Sequence, residues 1–272
     1  MENSEKIRLF DTHAHYFDKR FGEVGGADAI LRAEVFGGAV SRVINVGKNN
    51  KNNLACIEQA GKYDGMYAAV GIHPEDARYC EGSVSEEISA LADIIGDREN
   101  RARKKIVAIG EIGLEYHYEG FDKSRQAQFF DAQMELAREL DMPVIIHDRE
   151  AHGDCFDMAL RYPEVRGVFH SYSGSAQMAA ELVRRGWYIS FSGVVTFKNA
   201  SRVKEVAASI PLDRLLVETD APYLAPHPYR GKMNHSGLMI YTASTLAEIK
   251  GMTLSELARV TYDNASELFG IK

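Results

Sequence analysis

Short apolar runs rich in β-branched residues punctuate the chain at 8–10, 42–46, 66–71, 105–109, 143–146, 167–169, 187–191 and 215–217. Most are nearly continuous in hydrophobicity, the pattern of parallel strands covered on both faces. Between them, apolar positions recur at helical spacing over 52–62, 85–96, 124–140, 176–185 and 200–209. The longest of these opens on Ser124, a residue type that caps helix N-termini. Its Gln128, Phe129, Gln133, Leu136, Ala137 and Leu140 fall on one helical face. Two further helical patterns, 237–250 and 253–269, close the chain. Eight strand–helix units in a chain of this length predict an α/β fold, a single-domain (β/α)8 TIM barrel over residues 1–272. An open doubly wound sheet is the alternative arrangement.

Composition changes this picture little and narrows the setting. The 272 residues are 45% hydrophobic and 26% charged, which is globular. No apolar run reaches the roughly 18 residues of a membrane span, and residues 1–8 lack the apolar stretch of a signal peptide. Cys56, Cys80 and Cys155 are odd in number and form no C-x-x-C pair, so a reduced, cytoplasmic protein is expected. The net charge of −7 argues against broad electrostatic capture of nucleic acid. It leaves a nucleic-acid substrate open, because two divalent ions would add about +4 locally.

A barrel carries its reactive groups at the C-terminal ends of several strands. The polar residues that follow the apolar runs meet this demand. The first run leads into Asp11-Thr12-His13-Ala14-His15, the third into Gly71-Ile72-His73-Pro74, and the fourth into Gly110-Glu111-Ile112-Gly113-Leu114-Glu115. The fifth leads into His147-Asp148-Arg149-Glu150, the sixth into His170-Ser171-Tyr172-Ser173-Gly174-Ser175, and the eighth into Glu218-Thr219-Asp220-Ala221-Pro222-Tyr223. Five of the nine histidines stand at these positions, which scatter rarely produces.

His13 and His15, two apart at a strand end, present two imidazoles to one point. With Glu111, His147, His170 and Asp220 they make four imidazoles and two carboxylates at one rim. Mixed nitrogen and oxygen donors suit divalent zinc, manganese, iron or cobalt better than calcium. A catalytic zinc usually keeps about three protein ligands, so six donors favour two ions. The expected division is His13, His15, Glu111 and Asp220 at one ion and Glu111, His147 and His170 at the other. Glu111 on the fourth strand then bridges. Such a pair, roughly 3.5–4 Å apart, ionises a shared water and clamps the attacking and leaving oxygens. Asp220, beside it, is placed to accept the water's proton.

At this point the chain resembles the TatD-type metal-dependent hydrolases, the TatD-related deoxyribonucleases, from Phe10 to about Phe269. The carriers are the motifs just quoted, together with Pro143-Val144-Ile145-Ile146-His147, Arg149, Leu224, and Arg230-Gly231-Lys232 with Asn234. The resemblance implies an amidohydrolase-like barrel, divalent metals (magnesium among the candidates) and hydrolysis of phosphodiester bonds in DNA. Its metal ligands coincide with the six residues above. Where the family usually continues Arg-Asn-Glu-Pro, this chain has Met233-Asn234-His235-Ser236, in an expected substrate loop, and Glu115 replaces a frequent aspartate.

Other polar residues at the same rim suit substrate contacts. His73 is expected to donate to a phosphate oxygen rather than to bind metal. Arg149 offers a planar fork matched to phosphate, or a salt bridge to Glu150 or Asp148. Arg230, with Ser192, Lys198 and Lys232, follows the last strands, where barrels often hold phosphate. Ser173-Gly174-Ser175 reads as a turn capping the helix at Ala176, and no G-x-S-x-G elbow surrounds these serines. Glu218 is a candidate to orient a metal-bound group. His117, His152, His227 and His235 are expected at the surface or behind the site.

The leading expectation is therefore a deoxyribonuclease acting on ends or single strands, with no membrane and no obligate protein partner. An amidohydrolase or deacylase acting on a small molecule or acylated nucleotide is the alternative. A non-catalytic metal or nucleic-acid binding protein is the third reading, disfavoured by six converging ligands. Fold alone does not separate the first two.

Overall fold

The computed structural model describes residues 7–120 and 122–272. Residues 1–6 of the polar amino-terminal segment lie outside them. Eight parallel strands follow one another in chain order around a single sheet. They are β1 (Leu9–Ala14), β2 (Val40–Val46), β3 (Met66–Val70), β4 (Ile106–Glu115), β5 (Val144–Arg149), β6 (Gly167–Phe169), β7 (Tyr188–Phe191) and β8 (Leu215–Val217). The ring closes just past β8, where Asp220 N–H donates to the His13 carbonyl (2.9 Å) and His15 N–H to the Ala221 carbonyl (2.7 Å). The expected (β/α)8 barrel is the observed fold, and the doubly wound alternative is set aside.

Alternation along the strands explains the two apolar layers. Phe10, Ile44, Ala69, Ala108, Ile145, Val168, Tyr188 and Leu216, one from each strand, meet in the barrel interior above Leu268 and Phe269. Val43, Ile109, Val144, Ile146, Phe169, Ile189 and Val217 belong to the larger cluster shared with the helices. Both faces are dry, so the strands read as unbroken apolar runs.

The helices are α1 (Ala27–Ile30), α2 (Asn50–Lys62), α3 (Val84–Ile95), α4 (Arg98–Arg103), α5 (Lys123–Leu140), α6 (His152–Arg161), α7 (Ala176–Arg184), α8 (Ser201–Ser209), α9 (Met239–Lys250) and α10 (Leu254–Phe269). Ser175 caps α7 by accepting from Met178 N–H, as the sequence predicts. For α5 the cap is corrected. Asp122 accepts from Arg125 N–H, while Ser124 lies inside the helix and accepts from the Gln128 amide. Phe129, Gln133, Leu136 and Ala137 face inward as expected, but Gln128 is exposed and Gln126 is the buried amide.

Strand ends depart most from expectation. Hydrophobicity ends the first strand at Phe10, the fourth at Ile109 and the fifth at Ile146, yet β1, β4 and β5 continue to Ala14, Glu115 and Arg149. Their polar ends still pair with neighbours: Gly113, Leu114 and Glu115 lie against His147, Asp148 and Arg149. Gly113 permits that approach, since a Cβ there would collide with the His147 carbonyl. Register shifts fall between Asp11 and Ala14 on β1 and between Ile109 and Ile112 on β4. These are the segments carrying His13 and Glu111, and irregular register re-aims a side chain.

Side-chain amides hold the same ends in place. Gln133 on α5 brackets Ile72, accepting from its N–H (2.7 Å) and donating to its carbonyl (3.1 Å). Gln126, one helical stretch earlier, does the same to Glu115. Asn53 on α2 brackets Gly71. Each amide imitates a strand neighbour for a buried backbone group that would otherwise go unpaired.

Candidate metal centre

The six expected donors converge at the C-terminal mouth of the barrel. Glu111, buried, is their centre. Its Oε2 lies 3.4 Å from His13 Nε2 and 3.5 Å from His15 Nε2. Its Oε1 lies 2.6 Å from His147 Nδ1 and 2.9 Å from His170 Nε2. Asp220 Oδ1 sits on the first side, 3.4 Å from His15 Nε2 and 3.8 Å from His13 Nε2. Asp220 adopts φ = 58°, a left-handed conformation that aspartate tolerates better than most side chains. One carboxylate therefore faces two sets of nitrogens with its two oxygens.

The second nitrogen of each ring tells which one is free. His15 Nδ1 donates to the Val46 carbonyl (2.7 Å), leaving a lone pair on Nε2. His170 Nδ1 reaches Glu218 (3.2 Å), which frees Nε2, and His147 Nε2 reaches Glu115 (3.3 Å), which frees Nδ1. This is the arrangement of metal-binding imidazoles, whose outer N–H is held by a carbonyl or carboxylate. His13 Nδ1 is buried with no hydrogen-bond partner among the described residues, and its ring stacks on that of His170 at 4.0 Å. His13 Nε2 and His15 Nε2 approach to 3.1 Å. Two acceptor nitrogens facing each other repel unless a cation or proton lies between them. The donor set thus fits divalent metal, and three overlapping groups of possible ligands occur here: His13, Glu111 and His170; His13, His15 and Asp220; and His73, Glu111 and His147.

His73 enters the last group with Nε2 3.2 Å from Glu111 Oε1. However, its Nδ1 accepts from Glu75 N–H (3.1 Å), so the neutral ring carries its proton on Nε2. In that tautomer Nε2 is a donor, as a phosphate contact requires, and has no lone pair for a metal.

The electrostatics favour the binding form of Glu111 and His13 and the protonated form of His147 and His170. Burial would raise the Glu111 pKa, but His73, His170 and His13 outweigh it and hold the carboxyl well below its usual range. Burial, with His170 beside it, holds His13 below the ordinary imidazole value. Burial would lower His147 and His170 too, but contact with Glu111, joined at His170 by Glu218, raises both. A cation entering there competes with protons.

Several contributors escaped the sequence reading. Asp11, fully buried, accepts from His13 N–H, Thr219 N–H and Thr219 Oγ1, tying β1 to the segment that carries Asp220. Burial, against the bonds from Ser236 and Thr219, pushes its pKa up to about 7. Lys48, two residues beyond β2, lines the mouth with His15, His73, Glu75, Glu111, Tyr118, His147, Arg149, His170, Asp220 and Tyr223 around a cavity of about 290 Å³. Burial would lower the Lys48 pKa, but Glu111 and Glu75 hold it above the ordinary value. A sequence search for metal donors passes over this strand end, because it carries neither histidine nor carboxylate.

Arg149 lines the mouth, with Glu115 at 3.8 Å and the Tyr118 ring beneath it, rather than pairing with Glu150 or Asp148. Arg230 is exposed, its guanidinium 4.6 Å from the Phe197 ring centre, and it is absent from the residues lining this cavity. Ser192 bonds Ser171. Glu218, the residue after the end of β8 at Val217, holds His170. His117 pairs with Glu150 and His152 with Asp148. His227 is exposed and His235 half-buried. A second lobe of about 320 Å³ adjoins the first, walled by Tyr172, Val194, Val203 and Leu224.

A (β/α)8 barrel whose mouth gathers imidazoles and carboxylates in metal-binding tautomers defines a metal-dependent hydrolase. The family model described as TatD related DNase matches residues 10–270, and the chain belongs to that family. It is similar to the metal-dependent hydrolase YabD of Bacillus subtilis (strain 168), with 41% identity over 265 residues, 97% of this chain and 99% of that protein. The crystal structure of YjjV, a TatD homolog from Escherichia coli K12, superposes with a TM-score of 0.87 at 30% identity, covering 98% of this chain and 99% of that one. An amidohydrolase from Saccharomyces cerevisiae shares the fold, with a TM-score of 0.82 at 19% identity over 97% of this chain and all of the other (100%).

Glu218→Ala is expected to weaken ion binding by about 10- to 100-fold, the usual effect of losing an outer partner of a metal-binding histidine. Titration of the metal-free protein with zinc or manganese measures this. An unchanged affinity would remove Glu218 from that role.

Proposed function

We propose that the chain hydrolyses phosphodiester bonds of DNA, at ends or in single strands, with two divalent ions held across Glu111. The carrying observation is that Glu111 Oε2 faces His13 and His15 while Oε1 faces His147 and His170. One side then comprises His13, His15, Glu111 and Asp220, and the other Glu111, His147 and His170. When bound, such ions supply Lewis acidity and a hydroxide nucleophile at neutral pH.

The chain's own residues do the rest. Asp220, ionised because His15 and His13 outweigh its burial, accepts the proton of the attacking water. His73 donates from Nε2 to a non-bridging phosphate oxygen. Arg149 offers its fork to the same anion from across the mouth. Lys48 and Arg149 place two cations, and His73 a neutral donor, around the mouth; with divalent ions offsetting Glu75, Glu111 and Asp220, this lining favours an anionic substrate over a neutral amide. Arg230, which does not line this cavity, has no part in these contacts. The free thiols of Cys56, Cys80 and Cys155 favour action in the reducing cytoplasm. Among the described residues no helix is long and apolar enough to cross a membrane.

The apolar walls of the adjoining lobe favour a second reading, an amidohydrolase or deacylase acting on a small molecule or acylated nucleotide. One experiment decides. The metal-free protein is given zinc, manganese, magnesium, iron or cobalt singly and assayed on single- and double-stranded DNA beside simple amides and esters. Ion-dependent release of mononucleotides is the expected result. Amide or ester turnover without DNA cleavage would overturn the first reading in favour of the second.

A further inference from the structure

Lysines in this protein that are partly withdrawn from water mostly spend their protons on helix ends. Lys104 donates to the Ile94 carbonyl at the end of α3. Lys105 donates to the Ala60, Tyr63 and Asp64 carbonyls in the last turn of α2 and just beyond it, and Lys250 to those of Ala208 and Ile210 at the end of α8. Lys48 caps nothing. Its side chain is only 20% exposed, yet among the described residues its single acceptor is Glu75 Oε2, at 2.9 Å. An ammonium carries three donors, so two remain unspent at the wall of the cavity that contains Glu111.

The segment is built to keep it there. His73 N–H donates to the Lys48 carbonyl (2.9 Å), joining the ends of β2 and β3. Glu75, two residues past His73, reaches back to the ammonium across 27 positions of sequence. Among the described residues no ion pair joins Lys48 to Glu111, whose carboxylate is taken up by histidines. The cation therefore stands beside the reacting centre rather than in it. Glu75, itself half-buried, occupies one of the ammonium's donors, and the two that remain can be accepted by the oxygens of an anionic ligand in the cavity.

We infer that Lys48, positioned by Glu75, is a specificity-determining residue that binds the phosphate next to the one being hydrolysed, so the site selects phosphodiesters bearing a second anionic group. This rests on the phosphodiesterase reading above. Lys48 takes no part in bond breaking.

The test compares the metal-loaded protein with Lys48→Met, Lys48→Arg and the double variant Lys48→Met/Glu75→Gln, which leaves no unpaired carboxylate. The substrates are a single-stranded oligodeoxynucleotide, the same strand with one uncharged methylphosphonate beside the cleaved linkage, and bis(4-nitrophenyl) phosphate, which has one phosphate only. Lys48→Met is expected to raise KM on the oligonucleotide by about tenfold, as for loss of a charged hydrogen bond. That rise should exceed its effect on the small diester, and Lys48→Arg should recover most of it. The methylphosphonate should raise KM of the unaltered protein by a similar factor and add little in Lys48→Met, the non-additivity of a direct contact. Equal sensitivity of both proteins to the methylphosphonate at either neighbouring linkage would overturn the contact while leaving the phosphodiesterase reading intact. Binding of the same strands, read by fluorescence anisotropy, separates the converse case. Charge-dependent binding that is lost in Lys48→Met, with no strand cleaved by any protein, supports the contact and overturns the hydrolytic reading. Neither binding nor cleavage overturns both.

Discussion

Glu111→Ala is expected to lower DNA turnover by on the order of a thousandfold or more and to weaken binding at both ion positions, because one side chain serves each. Among the six donors only this carboxylate touches both groups of imidazoles, one oxygen to each. Alanine leaves His13, His15, His73, His147 and His170 without the carboxylate they share. The shared loss distinguishes this residue from a ligand of one ion. His15→Ala or His170→Ala should each empty one position more than the other, whereas Glu111→Ala should lower both together. Elemental analysis of ions per chain, taken beside turnover, reads this directly. Two ions retained at undiminished affinity, with turnover within about tenfold of the unaltered protein, would refute the bridge.

Asp220→Asn is the second large effect, and of a different kind. The substitution keeps the shape of the side chain and an oxygen toward His13 and His15 but removes the basic form. We expect kcat to fall by about 10²- to 10⁴-fold, the usual worth of a positioned general base, with KM within about threefold because ground-state binding is untouched. The ion pair should be weakened less than in Glu111→Ala, since His13, His15 and Glu111 remain. If KM rises while kcat holds, Asp220 binds substrate and some other group takes the proton.

How much of this was legible in the sequence follows from what leaves a periodic trace. Burial on both faces writes an apolar run, so all eight strands could be found, and the residues after each run named the mouth. His13, His15, Glu111, His147, His170 and Asp220 needed only that positional rule. Where polar residues continue a strand, as on β1, β4 and β5, the trace stops early although the ladder goes on. Lys48 was invisible for another reason. Its meaning depends on Glu75, 27 positions away, and no spacing rule connects the ends of two different strands. Asp122 displaced Ser124 as the cap of α5 because both are capping residue types and only backbone conformation chooses between them. Arg230 followed a strand as expected, but the long segment after β8 carries it outward onto Phe197.

The amides of Gln126, Gln133 and Asn53 grip peptide groups and ignore the side chains attached to them. A rim anchored this way is indifferent to what its residues display. Lysine, threonine or an acid could stand beside the same clasp without slackening it. Such a scaffold separates keeping its shape from choosing its reactant, and descendants of one ancestral chain would be free to diverge in diet while their architecture stayed put.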